Sequence, residues 1–264
     1  VIQMKVLFFD IDGTLSDEVT GIIPESCKEA IKQAQQNGHL CFVNTGRPAS
    51  TIPPQILELG LDGYICGCGN YIVYKNQILL ESHLPKSLCK DIVSKLVETR
   101  MSGVLEGSYG VYWDPNNINP TISKIKENYT KAGFDTSKTW FDKDLLYDKA
   151  TCWINEDSDF EAFHNFMCQY FEGIKRSDEF YEYIQKDYSK ATGIQFILDY
   201  FHLTLDDAYA FGDSTNDLSM LEYVNHSTAM ANGQQIVKEK VSYVTRSVEE
   251  DGIQKALQYW GIIE

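Results

Sequence analysis

Short apolar runs and an amphipathic segment alternate in the first 45 residues. Residues 5–10 and 40–44 are short and largely apolar, which is typical of strands. Between them, residues 24–37 begin at Pro24 and are followed by Gly38, which are the expected start and stop signals of a helix. One face of that helix is apolar, at Cys27, Ala30, Ile31 and Ala34. The pattern predicts a strand–helix–strand unit, and such units build parallel sheets.

The same alternation returns near the carboxyl terminus. Apolar residues at helical spacing follow Lys190, at Ile194, Ile197, Leu198 and Phe201. Beyond them the pattern predicts strands at residues 209–211, 228–230 and 241–245, and helices at residues 217–224 and 253–259. We therefore expect an α/β fold whose core is a doubly wound, Rossmann-like parallel sheet built from residues 1–81 and 186–264.

Residues 82–185 have a different pattern. Helical spacing predicts helices at residues 87–99, 120–132 and 159–171. Alternating residues predict a hairpin over residues 103–114 that turns near Gly107 and Ser108, a strand at 150–155 and a second hairpin over 174–185. Helices mixed with hairpins indicate an inserted α+β domain with an antiparallel sheet.

Charge and hydropathy narrow the classes of partner. The 264 residues carry a net charge of −15. A nucleic acid or an anionic membrane would need a broad basic surface, so we expect neither as a partner. No apolar run approaches the roughly 18 residues of a membrane span, and no basic amino-terminal segment precedes a long apolar one, so neither anchoring nor export is expected. Met4 is a more natural start than Val1.

The cysteines indicate a reducing compartment. There are seven, an odd number, and several lie in apolar runs, as Cys41 and Cys152 do. We therefore expect reduced thiols and a cytoplasmic protein. The Cys66-Gly67-Cys68 segment has no second cysteine pair or neighbouring histidine, so it falls short of a zinc site, and no dinucleotide-binding fingerprint follows it.

Candidate chemistry begins where the first predicted strand ends, at Asp10 and Asp12. Side chains of an extended chain alternate, so two carboxylates one residue apart share a face. A carboxylate can attack phosphorus when a cation neutralises the phosphoryl oxygens and a second acid protonates the leaving oxygen. The pair can therefore supply a nucleophile and a proton donor. The ordinary alternative is an Asp-Gly turn that closes a strand.

Three further segments carry polar groups to comparable positions. The second strand ends in Asn44–Arg47, Lys190 stands near a helix start, and the strand at residues 209–211 runs into the acidic segment Gly212–Asp217. Ligands of doubly wound sheets bind at the carboxyl ends of the strands, so we expect these groups to meet there. The hard oxygen ligands suit Mg²⁺.

In this order the motifs resemble those of the haloacid dehalogenase superfamily of phosphohydrolases, and within it the Cof-like branch with a large α/β cap domain. The matching segments are DIDGTL at Asp10–Leu15, NTGR at Asn44–Arg47, SK at Ser189 and Lys190, and GDSTND at Gly212–Asp217. Each motif alone is weak, whereas the ordered set is specific. The chain departs at Ala191, where the family often has Gly, and at Cys68–Asn70, where it often has Asn-Gly-Ala. The resemblance implies that residues 82–185 are the cap.

The resemblance also assigns roles to the matched residues. It implies that Asp10 is the nucleophile that becomes an aspartyl phosphate, and that Asp12 protonates the leaving oxygen and later activates water. It implies Mg²⁺ at the Asp10 carboxylate, the Asp12 carbonyl and Asp213. The other implied contacts are with phosphate or substrate, by Thr45, Gly46, Arg47, Lys190 and Asn216, while Asn216 and Asp217 orient Lys190 and the metal ligands. The ordinary alternatives are a surface position for Lys190 and a helix cap at Asp213.

Together these features predict a cytoplasmic, Mg²⁺-dependent phosphatase of small phosphorylated metabolites, with sugar phosphates as the first substrate class and phosphorylated cofactors as the second. A phosphosugar mutase on the same fold is the nearest alternative, and a phospho-aspartate signalling module is the alternative outside enzymes. Gly107–Tyr109 and Lys175–Ser177 are candidate substrate contacts in the cap. The ordinary alternative for Lys175 and Arg176 is a solvated basic pair.

Overall fold

The computed structural model describes residues 3–264, so Val1 and Ile2, ahead of Met4, lie outside the described residues. The strands are β1 (Val6–Phe9), β2 (Leu40–Asn44), β3 (Gly63–Cys66), β4 (Tyr71–Tyr74), β5 (Gln77–Glu81), β6 (Ser102–Gly107), β7 (Gly110–Trp113), β8 (Lys149–Trp153), β9 (Phe171–Lys175), β10 (Phe180–Gln185), β11 (Ala208–Gly212), β12 (His226–Ala229) and β13 (Tyr243–Val244). The α-helices are α1 (Glu25–Gln36), α2 (Pro54–Leu57), α3 (Lys86–Glu98), α4 (Pro120–Lys131), α5 (Phe160–Met167), α6 (Lys190–Phe201), α7 (Leu218–Leu221), α8 (Gln235–Lys238) and α9 (Gly252–Tyr259).

The chain divides into two units. Unit 1 contains residues 3–46, Pro53–Leu80 and Ser189–Glu264, and unit 2 contains Arg47–Ile52 and Glu81–Tyr188. The sequence placed the core–cap boundaries at 81/82 and 185/186, whereas Glu81, residues 186–188 and Arg47–Ile52 pack with unit 2. Segment Arg47–Ile52 does so through contacts far away in sequence, such as the hydrogen bond that Ser50 Oγ donates to the Gly107 carbonyl at 2.6 Å.

An eight-stranded sheet lies at the centre of unit 1, in the order β13-β12-β11-β1-β2-β3-β4-β5. β1 pairs in parallel with β2 and β11, and the pairs β2–β3, β11–β12 and β12–β13 are parallel as well. The predicted doubly wound α/β core is thus confirmed. One edge differs from the prediction, because β4 runs antiparallel to β3. Antiparallel edge strands are common on otherwise parallel sheets. The glycines between β3 and β4 gave the pattern of a turn, so this pair of strands was not predicted.

Both faces of the central sheet are buried. Val6 and Phe8 of β1 share one apolar cluster with Ile194 and Ile197 of α6. Leu7 and Phe9 are equally buried and point to the opposite face, because strand side chains alternate. β1, β2 and β11 run in the same direction, so the residues that follow them come to one edge of the sheet.

Unit 2 is built on a five-stranded sheet in the order β7-β6-β8-β10-β9, and the pairs described for it are antiparallel. One face packs against α3 and α5, and the other packs against α4 at Val104, Val111 and Trp113. The predicted antiparallel α+β insertion is confirmed. The helix predicted over residues 159–171 ends at Met167 instead, because Phe171 is buried as the first residue of β9. The helix predicted over 217–224 is only the four-residue α7.

Within residues 3–264, no helix combines the length and the apolar character needed to cross a bilayer. The seven cysteines carry free thiols, and most of them are buried.

Candidate active site

A buried lysine links two carboxylates at the edge of the unit 1 sheet. Lys190 Nζ lies 2.7 Å from Asp10 Oδ1 and 2.5 Å from Asp217 Oδ1. Lys190 is only 1% exposed, so the alternative of a surface lysine is wrong. A buried ammonium group is stable only when it is paired, and the two carboxylates supply that pairing.

The Ser189-Lys190 motif starts helix α6. Ser189 is the N-cap, and its hydroxyl accepts a hydrogen bond from the Thr192 N–H at 3.1 Å. The Thr192 hydroxyl in turn accepts from the Ser189 N–H at 2.9 Å, which completes a capping box. Lys190 is thereby fixed at the first helical position, with its side chain directed into the interior.

Asp10 directly follows β1 and its N–H still donates to the Phe211 carbonyl at 3.0 Å, whereas a turn begins at Ile11, ahead of Asp12. β1 ends at Phe9, and the N–H groups of Thr14, Leu15 and Ser16 all donate to the Ile11 carbonyl. The premise that the chain is still extended through Asp12 is therefore wrong. Asp10 is 5% exposed, whereas Asp12 is half-buried. The two carboxylates thus have different contact with solvent, which suits different chemical roles.

Asp213 approaches this turn from β11. Gly13 has φ +81°, and a Cβ at this position would lie 2.5 Å from Asp213 Oδ2, so only glycine fits. The Thr14 hydroxyl donates a hydrogen bond to Asp213 Oδ1 at 2.9 Å. The N-cap of the following 3₁₀ turn is Ser214, so Asp213 is not a helix cap, and that alternative is wrong as well.

Burial and mutual repulsion perturb the acids. Burial raises the pKa of Asp10 to about 8, with a further rise from the Asp217 charge that Lys190 opposes. Burial and Asp217 also raise the pKa of Asp213 to about 7. Burial alone would lower the pKa of Lys190, but Asp10 and Asp217 raise it because they stabilise the ammonium. One cation thus faces three carboxylates, which leaves an excess of negative charge.

A divalent cation fits that excess. The carboxylates of Asp10, Asp213 and Asp217 offer oxygens within 4.8 Å of one another, and hard oxygens suit Mg²⁺. Asp217 Oδ1 already accepts from Lys190, and its Oδ2 accepts two backbone N–H bonds of 2.9 and 3.1 Å. Asp217 therefore orients its neighbours. Asp10 and Asp213 are suited to hold the ion, and the Asp12 carbonyl remains the predicted third ligand.

The second motif divides between the units. Thr45 is buried, its N–H donates to the Ile65 carbonyl at 2.9 Å, and its carbonyl accepts from the Cys68 N–H at 3.1 Å. Gly46 ends this part of unit 1, whereas Arg47 belongs to unit 2 and donates from Nη1 to the Thr51 carbonyl at 3.2 Å. Phosphate binding by Thr45, Gly46 and Arg47 stays a prediction.

Asn216 stands apart from the buried charges. It is exposed, and its Oδ1 accepts a hydrogen bond from the Ser214 hydroxyl at 2.5 Å. Its predicted contact with phosphate stays a prediction. Asp217 is fully buried and contacts Lys190, as expected for a residue that orients this cation.

The candidate substrate contacts of the cap are engaged within unit 2. The Tyr109 hydroxyl donates to Glu81 Oε1, and Tyr109 is 55% exposed. Arg176 Nε donates to Glu182 Oε2 at 2.6 Å. Lys175 pairs with Asp178 in solvent, which matches the ordinary alternative for this residue. The roles of Tyr109 and Arg176 in substrate contact stay predictions.

Sequence reasoning missed two residues that support the site. Thr14 binds Asp213, and Asn44 Nδ2 donates to the Lys190 carbonyl at 2.9 Å. Both lie inside the motifs that gave the resemblance, so their position was a usable signal. The direction of their side chains could not be predicted from the sequence, because it depends on partners about 150 to 200 residues away in the chain.

Comparison with known proteins decides the family. The family model for haloacid dehalogenase-like hydrolases matches residues 7–257, which include every residue of the site described above. The chain belongs to the haloacid dehalogenase-like hydrolases. The predicted resemblance and the prediction of a phosphatase-type enzyme are thereby confirmed.

Relatives of this hydrolase are named phosphatases. The Bacillus subtilis protein named "Putative phosphatase YkrA" is 28% identical over 264 residues, which cover 98% of this chain and 99% of that protein. The 5-amino-6-(5-phospho-D-ribitylamino)uracil phosphatase YitU of Bacillus subtilis is 26% identical over 276 residues, which cover 96% of each. The solved structure of the HAD subclass IIB sugar phosphatase BT4131 gives a TM-score of 0.80 at 28% identity and covers 98% of this chain and 100% of that chain.

Proposed function

We propose that this hydrolase is a cytoplasmic, Mg²⁺-dependent phosphatase of small phosphorylated metabolites, and that it works through an aspartyl phosphate on Asp10. The observation that carries the proposal is the buried Lys190, which bridges Asp10 and Asp217 beside Asp213. A buried cation and a group of acids at the end of parallel strands provide what phosphoryl transfer needs, namely a nucleophile and a site that neutralises charge.

Asp10 and Asp12 carry the covalent steps. A carboxylate oxygen of Asp10 attacks phosphorus, the bond from phosphorus to the substrate oxygen breaks, and Asp12 gives its proton to that oxygen. Asp12 then accepts a proton from water, which attacks the phosphoaspartate and releases inorganic phosphate. Asp12 is more exposed than Asp10, so it can meet the incoming water.

Other residues favour the ionised form of the nucleophile and hold the phosphoryl group. Lys190 stabilises the Asp10 carboxylate. Without this lysine, burial would raise the pKa of Asp10 still further. Thr45 and Lys190 contact phosphoryl oxygens, which carry the charge of a loose transition state. Asp10, Asp213 and the Asp12 carbonyl would hold a Mg²⁺ ion, which would supply Lewis acidity and neutralise further charge.

Sugar phosphates are the leading substrate class, and phosphorylated cofactors are the second. A sugar phosphatase and a phosphatase of a phosphorylated ribityl compound are among the relatives, and both names describe a polyhydroxylated phosphate ester. The net charge of −15 gives no general attraction for such anions. Binding therefore depends on the local cations, which favours small substrates that reach the site.

Phosphate release tests the proposal directly. We expect the purified chain with Mg²⁺ to release inorganic phosphate from some members of a panel of sugar phosphates and phosphorylated cofactors. Asp10→Asn keeps the shape but removes the nucleophilic charge, so kcat should fall by several orders of magnitude while the melting temperature stays near that of the wild type. Asp206→Asn is the matched control, because Asp206 contacts Asn225 on the surface and should not affect turnover. Isomerised sugar phosphate without free phosphate would indicate a mutase instead.

A further inference from the structure

Asn44 is a fully buried amide with one unpaired atom. It is the last residue of β2 and has no exposed surface. Its Nδ2 donates to the Lys190 carbonyl at 2.9 Å, and Met220 Sδ lies 3.6 Å from the same nitrogen. Its Oδ1 is also buried and accepts no hydrogen bond from any of residues 3–264. One end of the amide is thus engaged while the other is not.

Fold stability does not explain an asparagine at this position. An unpaired buried acceptor destabilises a protein, because it has lost its hydrogen bonds to water without gaining a partner. The Lys190 carbonyl lies in the first turn of α6, where the helix itself provides an N–H partner four residues later. The Asn44 bond is therefore an additional one for that carbonyl. An apolar side chain of similar shape would remove the cost of the unpaired oxygen without leaving the carbonyl unpaired.

We propose that Asn44 is a positioning residue for the reaction, and this inference rests on the proposed function. Asn44 directly precedes Thr45, and its side chain is hydrogen-bonded to the Lys190 carbonyl. Asn44 therefore connects the two residues that contact the phosphoryl group in the proposed reaction. Ser189 caps the same helix start from the other side of Lys190. Asn44 thereby fixes the distance between the backbone at Thr45 and the backbone at Lys190. The loss of stability from its unpaired oxygen is then explained by its role in the reaction and not by folding.

Asn44→Leu separates this role from a structural one. The substitution keeps the branched shape of the side chain. It removes both the amide nitrogen that donates to the Lys190 carbonyl and the unpaired oxygen. With p-nitrophenyl phosphate and saturating Mg²⁺, we expect kcat to fall about 10- to 100-fold, the loss that a displacement near 1 Å causes, with KM within about threefold of the wild type. The melting temperature should equal or exceed that of the wild type. Asn44→Ala, which carries no risk of overpacking, should show the same loss of kcat.

Thr228→Val is the matched control for a buried polar residue at a strand. Thr228 lies on β12, is fully buried, and accepts a hydrogen bond from Trp260 Nε1 at 2.8 Å. Its replacement should leave that indole N–H unpaired and lower the melting temperature, while kcat stays within about twofold of the wild type. The two substitutions are thus expected to have opposite effects on stability and turnover.

Each outcome supports or overturns the inference. Loss of kcat without loss of melting temperature in Asn44→Leu supports it. The inference is overturned if either folded Asn44 variant has a kcat within twofold of the wild type. It is also overturned if Asn44→Leu loses kcat together with a large drop in melting temperature. If Asn44→Leu does not fold, the kcat of Asn44→Ala decides. If the wild type releases no phosphate from any ester, the proposed function fails first, and the inference fails with it.

Discussion

Replacing Glu182 with glutamine should remove the carboxylate that pairs with two cations on the sheet of unit 2. Lys149 Nζ lies 3.0 Å from Glu182 Oε1, and Arg176 Nη2 lies 2.5 Å from Glu182 Oε2. Burial alone would raise the pKa of Glu182, but Lys149 and Arg176 lower it from 4.5 to about 2. At about 1.4 kcal/mol per pH unit, this difference contributes about 3 kcal/mol to stability at neutral pH.

The sign of the effect fixes its pH dependence. Because the folded-state pKa is below the unfolded value, the contribution is present above pH 4.5 and disappears as the pH falls through 2. Urea titration should give Glu182→Gln a free energy of unfolding about 3 kcal/mol below the wild type at pH 7, and about 2 kcal/mol below it at pH 3.5. Glu172→Gln, on the exposed side of neighbouring β9, is the matched control and should change stability by less than about 0.5 kcal/mol. A loss below about 1 kcal/mol for Glu182→Gln at pH 7, or an equal loss at both pH values, would refute the reasoning.

Three further predictions concern the metal, a buried acid and the cap. Chelation should abolish phosphate release and Mg²⁺ should restore it, while Ca²⁺ should restore it poorly because it coordinates more loosely; full activity in chelator would contradict the metal assignment. Asp148→Asn should flatten the dependence of melting temperature on pH between 4 and 6. Burial raises the pKa of Asp148 to about 6, although the contact with His83 lowers it. The wild type therefore loses about 3 kcal/mol of stability as the pH rises from 4 to 6 and Asp148 ionises. Parallel curves of melting temperature against pH for the variant and the wild type would rule this out. Tyr109→Phe removes the hydroxyl that binds Glu81 and should change the ratio of kcat/KM for the best sugar phosphate to that for p-nitrophenyl phosphate; an unchanged ratio would show that this turn does not select the substrate.

Most elements of the fold were predictable because their signals are local. The continuous apolar runs of β1 and β2 and the periodic face of α6 predicted strands and a helix that the structure contains. The antiparallel pair β3–β4 was not predicted, because short strands separated by glycines give the same pattern as a turn. The attachment of Arg47–Ile52 to unit 2 was not predictable either, since Ser50 finds its partner Gly107 more than fifty residues away.

The site shows the same division between local and tertiary information. The sequence by itself determined which groups are the candidates for chemistry, because Asp10, Lys190 and Asp213 belong to motifs whose residue types and order can be read along the chain. Only the tertiary structure decided that Lys190 is buried between two carboxylates, and that Asn44 holds its carbonyl while leaving an oxygen unpaired. Burial and hydrogen bonding depend on which distant segments meet. A chemical group is a property of one residue, whereas its pKa and its orientation are properties of its neighbours in space.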